Sequence, residues 1–231
     1  MLRTIFFFGN KVKCPICGRS FRAFSIYNCP VGKVKVCPYC ASFERHRFLW
    51  LYFNKADIIN KKIKMLHFAP EYCFFINFID MDNIEYHSVD LNPRMANEKF
   101  DIKCIPYQDN SFDIILCNHV LEHVDDDCKA MRELARVLKK DGKTIITVPI
   151  DENREKTLED ETIKTPKERE KYYWQWDHLR LYGRDFEKRI YDNGFDVKVI
   201  DIINELSDSE INEYGLNENE KIFVCSKRFD K

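Results

Sequence analysis

The chain has 231 residues, 45% of them apolar and 32% charged, with a formal net charge of −1. That much apolar side chain excludes a disordered polymer, and no apolar run approaches the roughly 20 residues needed to span a membrane. The charge is unevenly spread. Residues 1–64 hold 13 Lys and Arg against 2 Asp and Glu, and residues 65–231 hold 24 against 36, which suggests two modules of opposite sign. The basic module either docks on the acidic one or meets an anionic partner such as nucleic acid.

Near the start, Ile5 to Phe8 is a shorter apolar run than the roughly 7–15 residues of a signal-peptide core. The ten cysteines are therefore expected in a reducing cytoplasm, where metal binding outranks disulfides. Cys14-Pro-Ile-Cys17 and Cys37-Pro-Tyr-Cys40 are separated by 19 residues. Four thiolates complete a tetrahedral zinc shell, and a two-residue gap lets one tight turn supply two ligands. Residues 1–41 thus read as a zinc ribbon too small to order itself without the ion. Cys29 is a spare that could replace one ligand. Four thiolates leave no open position, so the site is structural.

Residues 42–63 read as a linking helix. Ser42 is the expected N-cap, with Arg45 at the third position leaving a capping box incomplete. Phe48, Leu49, Tyr52 and Phe53 recur at helical spacing, while Glu44, Arg45 and Arg47 are expected to be solvated or bridging.

From residue 64 onward strands and helices alternate, which implies a doubly wound, mostly parallel sheet. Strands are expected at Met65–Ala69, Ile84–Val89, Phe100–Cys104, Phe112–Cys117 and Lys143–Ile150. Helices are expected at Tyr72–Ile79 and Asp125–Leu138. Residues 139–142, ending in Gly142, read as the stop of the second helix. A helix at Arg184–Asp192 and strands at Phe195–Ile200 and Lys221–Lys227 follow, the last two as an antiparallel edge. Residues 151–182 break the rhythm with a charged stretch and the aromatics Tyr172, Tyr173, Trp174 and Trp176, as an insertion forming a lid over the strand ends does.

In such sheets ligands bind outside the carboxyl ends of the strands. Asp90 ends the second strand, where a carboxylate can accept both hydroxyls of a ribose. Asp101 and Ile102 follow the third, where an acid and a backbone amide can hold an adenine edge. Asn118 and His119 end the fourth. His119-Val-Leu-Glu122-His123 also matches the H-x-x-E-H helix of zinc peptidases. That chemistry needs both histidines on one helix, and here the first follows a strand directly, so Glu122 and His123 read as structural.

The run SVDLNP, followed by DIKCIPYQDNSFDIILCNHVLEHVDDDCKAMRELARVLKKDGKTIITVP, resembles the class I, Rossmann-like S-adenosylmethionine-dependent methyltransferases of the type 11 branch. The resemblance covers about residues 64–200. It implies a seven-stranded sheet, with the cofactor ribose on Asp90, followed by Leu91. It places the adenine at Asp101 and Ile102, and the sulfonium against Asn118 and His119. The family's glycine-rich loop after the first strand is replaced by His67-Phe68-Ala69-Pro70-Glu71, a loop associated with N-terminal zinc ribbons. There the small Ala69, the turn-setting Pro70 and Glu71, facing the methionyl ammonium, would hold the cofactor. The expected reaction is methyl transfer to an O or N of a small-molecule or sugar-like acceptor. His119, or secondly His178, would act as general base, and Trp174, Trp176, His178, Arg180 and Tyr182 would meet the acceptor. Two rivals stand beside it. One is an RNA methyltransferase gripping phosphates with its ribbon; the other is a binding protein that has lost the cofactor.

Overall fold

The computed structural model describes residues 6–29, 32–92, 95–216 and 220–229. Ile5, which begins the N-terminal apolar run, and Pro93 of the SVDLNP segment lie outside them. The chain forms two compact units, each assembled from discontinuous segments. One comprises Met1–Lys62, Glu71–Ile84 and Ile200–Lys221, the other Ile63–Pro70, Glu85–Val199 and Ile222–Lys231.

The second unit is built on a six-stranded sheet. Its strands are β5 (Ile63–Phe68), β6 (Ile84–Val89), β7 (Phe112–Asn118), β8 (Leu138–Thr147), β9 (Phe195–Ile200) and β10 (Ile222–Lys227), in the order β6-β5-β7-β8-β10-β9. β5 pairs parallel with β7, and β7 parallel with β8, while β10 runs antiparallel to β8. β5 and β7 are buried along nearly their whole length, as expected of Ile- and Leu-rich central strands covered on both faces. The chain leaves β5 to one side for β6 and returns to the other side for β7. That makes the β5 end a topological switch point, where open sheets bind ligands.

The count is six rather than the expected seven, because residues 100–104 form no strand. The Asp101 carboxylate accepts from the Lys103 amide at 2.8 Å, and the Cys104 amide donates to the Asp101 carbonyl at 2.9 Å. These local bonds make a turn that competes with a ladder. The nearby strand-like feature is an isolated parallel bridge from Val89 to Glu98.

Helix α3 (Asp127–Val137) is capped by Asp126, whose side chain accepts from the Lys129 amide. It buries Ala130, Met131, Leu134 and Ala135 in the core of this unit. No loop separates it from β8, which begins at Leu138 and ends three residues earlier than expected. Gly142 lies inside that strand rather than at a helix stop. A Cβ there would sit 2.9 Å from the Asp113 carbonyl and 2.8 Å from Leu138 Cδ1, so the close approach beside the irregular β7–β8 register at Phe112 demands glycine.

The other unit contains two small hairpins, β1 (Val12–Lys13) with β2 (Ser20–Phe21) and β3 (Ser25–Cys29) with β4 (Gly32–Val36). It also holds α1 (Glu44–Lys55), α2 (Tyr72–Phe78) and α6 (Asp208–Tyr214). Trp50, Phe53, Phe74 and Phe78 stack into one aromatic core at centroid distances of 5.8–6.4 Å. The N-cap of α1 is Phe43, not Ser42. His46 at the third helical position takes the place of the capping-box glutamate, its Nδ1 accepting from the Phe43 amide at 3.1 Å.

Arg47 is fully buried rather than solvated. Its guanidinium donates to the carbonyls of Lys35, Ser42, Tyr214 and Gly215 at 2.6–3.2 Å. One side chain thus ties the β4 hairpin, the start of α1 and the end of α6 together.

Candidate functional site

A cavity of about 540 Å³ opens at the carboxyl ends of β5, β6 and β7, within the range of small-molecule sites. Phe68 and Ala69 line it from β5, Val89, Asp90 and Leu91 from β6, and His119 and Val120 from β7. The turn at Phe100–Lys103 closes one wall, and His123–Asp125 with Asp177 and Leu179 close another. All belong to the sheet-bearing unit.

Two of the lining residues hold backbone conformations that side chains rarely adopt: Ala69 at φ +48° and His119 at φ +52°. The Ala69 amide donates to the Val89 carbonyl at 2.8 Å, and the His119 amide to the Thr147 carbonyl at 2.9 Å. Such strain collects where a scaffold must turn its backbone toward a ligand. Asp90 accepts from the Asn92 amide at 2.8 Å, which fixes its carboxylate at the rim. Lys103 Nζ lies 2.6 Å from Asp125 and 3.6 Å from Asp101, so the acidic wall carries one neutralising cation.

Behind His119 stands a carboxylate. His119 Nδ1 meets Glu122 Oε1 at 3.1 Å, on a short 3₁₀ turn at Leu121–His123. Glu122 is fully buried. Burial alone would push its carboxyl up, but the hydrogen bond from His119 and the charges of His119 and His123 hold it below the usual range. A carboxylate on Nδ1 fixes the ring and leaves Nε2 as the acceptor, the arrangement of an oriented general base. His119 Nε2 is itself buried without a hydrogen-bond partner among the described residues.

Of the residues expected to hold a cofactor, Ala69, Asp90, Leu91, Asp101, Ile102 and His119 share this cavity. His67, Pro70, Glu71 and Asn118 do not line it. His67 is buried against the Tyr86 hydroxyl at 2.8 Å. Glu71 faces His46 Nε2 at 3.6 Å. The Asn118 amide oxygen accepts from Thr147.

The residues expected to meet an acceptor lie outside the lining of this cavity. Arg180 is 1% exposed and donates to the carbonyls of Leu121, Val124 and Asp125 and to Glu159. Tyr182 is buried and donates to Asp127 at 2.7 Å. Their partners are protein groups, so they fix the insertion rather than reach into the cavity. Trp176 is 60% exposed, and neither it nor Trp174 lines the cavity. His178 is buried, with Nδ1 donating to the Tyr173 carbonyl at 2.8 Å.

Sequence reading missed Glu122 as the partner of His119. It also missed Lys103, His123, Asp125, Asp177 and Leu179 in the walls. The Glu122 signal was present in H-x-x-E-H, but only the 3₁₀ turn shows which atoms face each other.

The four expected ligand cysteines cluster. Cys14 and Cys40 Sγ lie 3.6 Å apart, Cys17 and Cys37 Sγ 3.8 Å. Thiolates about 2.3 Å from one ion sit about 3.8 Å apart in a tetrahedron, whereas a disulfide needs about 2.05 Å. The two turns repeat each other. The amides of Gly18 and Ala41 donate to the carbonyls of Cys14 and Cys37 at 2.9 and 3.1 Å, and both residues have positive φ. The Ser42 hydroxyl lies 3.4 Å from Cys14 Sγ and 3.3 Å from Cys40 Sγ. Cys29 is not in the cluster and instead donates to the Gly32 carbonyl.

Residues 73–146 match the methyltransferase domain family. The chain is 50% identical over 44 residues to the uncharacterized protein MJ0638 of Methanocaldococcus jannaschii, 19% of each chain. It is 50% identical over 42 residues to the uncharacterized methyltransferase YcgJ of Bacillus subtilis, 18% of this chain and 17% of the relative. These alignments span less than a fifth of either relative.

Among solved structures, a chain of the Haloferax volcanii complex containing the Trm112 methyltransferase activator superposes with a TM-score of 0.52 at 14% identity. That match covers 80% of this chain and 94% of that one. The [4+2]-cyclase SpnF gives 0.50 at 13% identity, covering 77% and 82%. At such identities the likeness is one of fold, and the fold is the Rossmann-like one of methyltransferases. Together with the matched family it supports a class I S-adenosylmethionine-dependent methyltransferase.

Proposed function

We propose that the chain transfers a methyl group from S-adenosylmethionine to an O or N of a small-molecule or sugar-like acceptor. The observation that carries this reading is that Ala69, Asp90, Asp101, Ile102 and His119, separately expected from strand ends, line one cavity. The cavity also fits the group: acids stand where ribose and adenine need acceptors, and Ala69 turns its backbone as a glycine would. When bound, the cofactor supplies an activated methyl electrophile. The residues supply position and water exclusion. Asp90 takes the ribose hydroxyls, and Asp101 with the Ile102 amide takes the adenine edge. His119 Nε2 takes the proton of a protonated acceptor, with Glu122 orienting the ring. Cys14, Cys17, Cys37 and Cys40 hold a structural zinc ion.

Titration calorimetry tests the reading. S-adenosylmethionine should bind the zinc-loaded chain, and Asp90→Ala should weaken binding at least about tenfold, the loss of one or two hydrogen bonds to a charged group. Absence of heat with zinc in place would leave a binding protein of degenerate fold.

A second reading rests on the basic end of the chain. Tyr27 and Tyr39 are exposed there, and Arg19 stacks over Tyr39 at 3.6 Å, a combination suited to phosphates and bases. RNA as acceptor predicts binding that falls steeply with salt and disappears on neutralising the ribbon lysines.

A further inference from the structure

The geometry points to a second metal site, formed by Glu122, His123 and His178, that takes a divalent transition ion in the wall of the cavity and lets that ion hold the oxygen of the acceptor. One ligand atom from each of the three residues lies within 4.8 Å of the others. The residues come from the 3₁₀ turn after β7 and from the insertion, joined where the Leu179 amide donates to the Glu122 carbonyl at 2.8 Å. Arg180 fixes the same turn through the Leu121, Val124 and Asp125 carbonyls.

Each side chain is prepared for an ion by what it already bonds. Glu122 uses Oε1 for His119, while Oε2 is buried with no hydrogen-bond partner among the described residues. A buried, unpaired carboxylate oxygen is expensive, and a cation resolves it. His178 Nδ1 donates to the Tyr173 carbonyl at 2.8 Å, which leaves Nε2 as a lone pair. That backbone bond on the far nitrogen is the usual support of a ligating histidine. The His123 ring stacks edge-on to His178, with centroids 4.7 Å apart, and its Nδ1 lies 3.4 Å from Asp177.

Two imidazoles and one carboxylate with positions left open suit iron, zinc or manganese. They differ in kind from the closed thiolate cluster. His123 also lines the cavity, so a ligand in the cavity can reach an ion held there. The choice of acceptor rests on the methyltransferase reading above. A cation at this place selects a hydroxyl, enol or carboxylate oxygen over a neutral amine. It would lower the pKa of a hydroxyl or enol, whose proton passes to His119 Nε2, whereas a carboxylate arrives already deprotonated; in each case the oxygen–carbon bond forms as the carbon–sulfur bond breaks, with the electron pair leaving on sulfur.

The test uses the full chain, dialysed against micromolar free zinc and assayed for metal per chain. The wild type is expected to hold about two ions and Glu122→Gln or His178→Ala about one, with affinity for the second ion down on the order of 10- to 100-fold. A single ion in the wild type, or two retained in both variants, overturns the site. Should Glu122→Gln misfold, the wild-type stoichiometry and His178→Ala still decide. Calorimetry with S-adenosylmethionine on the same samples separates the two readings. Cofactor binding with one ion per chain removes the metal site and leaves the methyltransferase. Two ions without cofactor binding keep the site and remove the acceptor assignment.

Discussion

Ala69 carries a conflict between sequence and backbone that has a measurable size. It stands where the resembling family has glycine, yet keeps φ at +48°. Left-handed backbone costs an L-residue about 1–2 kcal/mol. Ala69→Gly relieves that, but gives the unfolded chain back about 0.4–1 kcal/mol of freedom. Urea unfolding of Ala69→Gly should therefore show a gain of no more than about 1.6 kcal/mol over wild type. Ala69→Val, whose branched Cβ suits this region least, should lose about 2 kcal/mol or more, and its cofactor affinity should fall with it. Equal effects of glycine and valine would remove the backbone explanation.

At the same scale, the legibility of the site divides by chain distance. Asp90 and His119 could be placed from sequence because a strand end fixes them locally. The approach of His178 to Glu122 and His123 could not, because the insertion meets the 3₁₀ turn through contacts made far along the chain, among them those of Asp177, His178, Leu179 and Arg180. Arg180 and Tyr182, buried on protein partners, are a related case. A polar residue near a site looks like a ligand in sequence, and only burial and partners reveal it as an anchor.

At the scale of elements, the insertion is held by one buried carboxylate at the start of α3. Asp127 is 1% exposed. It accepts from Arg189 and from the Tyr182 hydroxyl, with Arg180 at 3.9 Å. Arg189 and Arg180 reach on to Glu159, so strand-end insertion, α3 and α5 (Phe186–Asp192) close one network. Asp127→Asn removes the buried charge facing Arg180 and Arg189, which keep Glu159, and should cost about 3 kcal/mol, the low end for breaking a buried pair.

The pH dependence has a definite sign. Burial alone would raise the Asp127 carboxyl, but the Arg189 hydrogen bond and the Arg180 charge hold it below the usual range. A depressed folded pKa gives stability that is complete above the unfolded value of about 3.9 and is lost as pH falls through the folded one. Urea midpoints measured from pH 6 down to pH 2 should fall more steeply in wild type than in Asp127→Asn. Parallel curves would mean the network carries no linked protons.

Strand and helix placement was mostly legible here because burial on both faces writes continuous apolar runs such as Phe112–Cys117. The misses fall where local polar bonds outcompete periodicity. Asp101 folds residues 100–104 into a turn, and His46 moves the cap of α1 one residue along by lending its ring as an acceptor.

At the scale of the whole molecule, the two compact units do not follow the charge division at residue 64, because one unit takes in Glu71–Ile84 and Ile200–Lys221 from far along the chain. Nothing local in those segments marks them. What ties the second of them in is Arg47, through the Tyr214 and Gly215 carbonyls, supported by an ion pair between Lys55 and Glu205.

This arrangement makes a prediction about metal removal. The proposed zinc contributes about 10–16 kcal/mol to folding of a thiolate site. Ser42, whose carbonyl accepts from Arg47 and from the Cys37 amide, joins the cluster to the guanidinium. Chelation should therefore release not only residues 6–41 but also residues 200–216. Hydrogen exchange read by mass spectrometry should show both segments losing protection together, while β5, β7 and β8 keep theirs. Cys37→Ser should reproduce the pattern without chelator. Loss confined to the cysteine turns would mean that Arg47 and the aromatic core of Trp50, Phe53, Phe74 and Phe78 hold the unit alone. Simultaneous loss across the sheet would mean that the two units unfold as one.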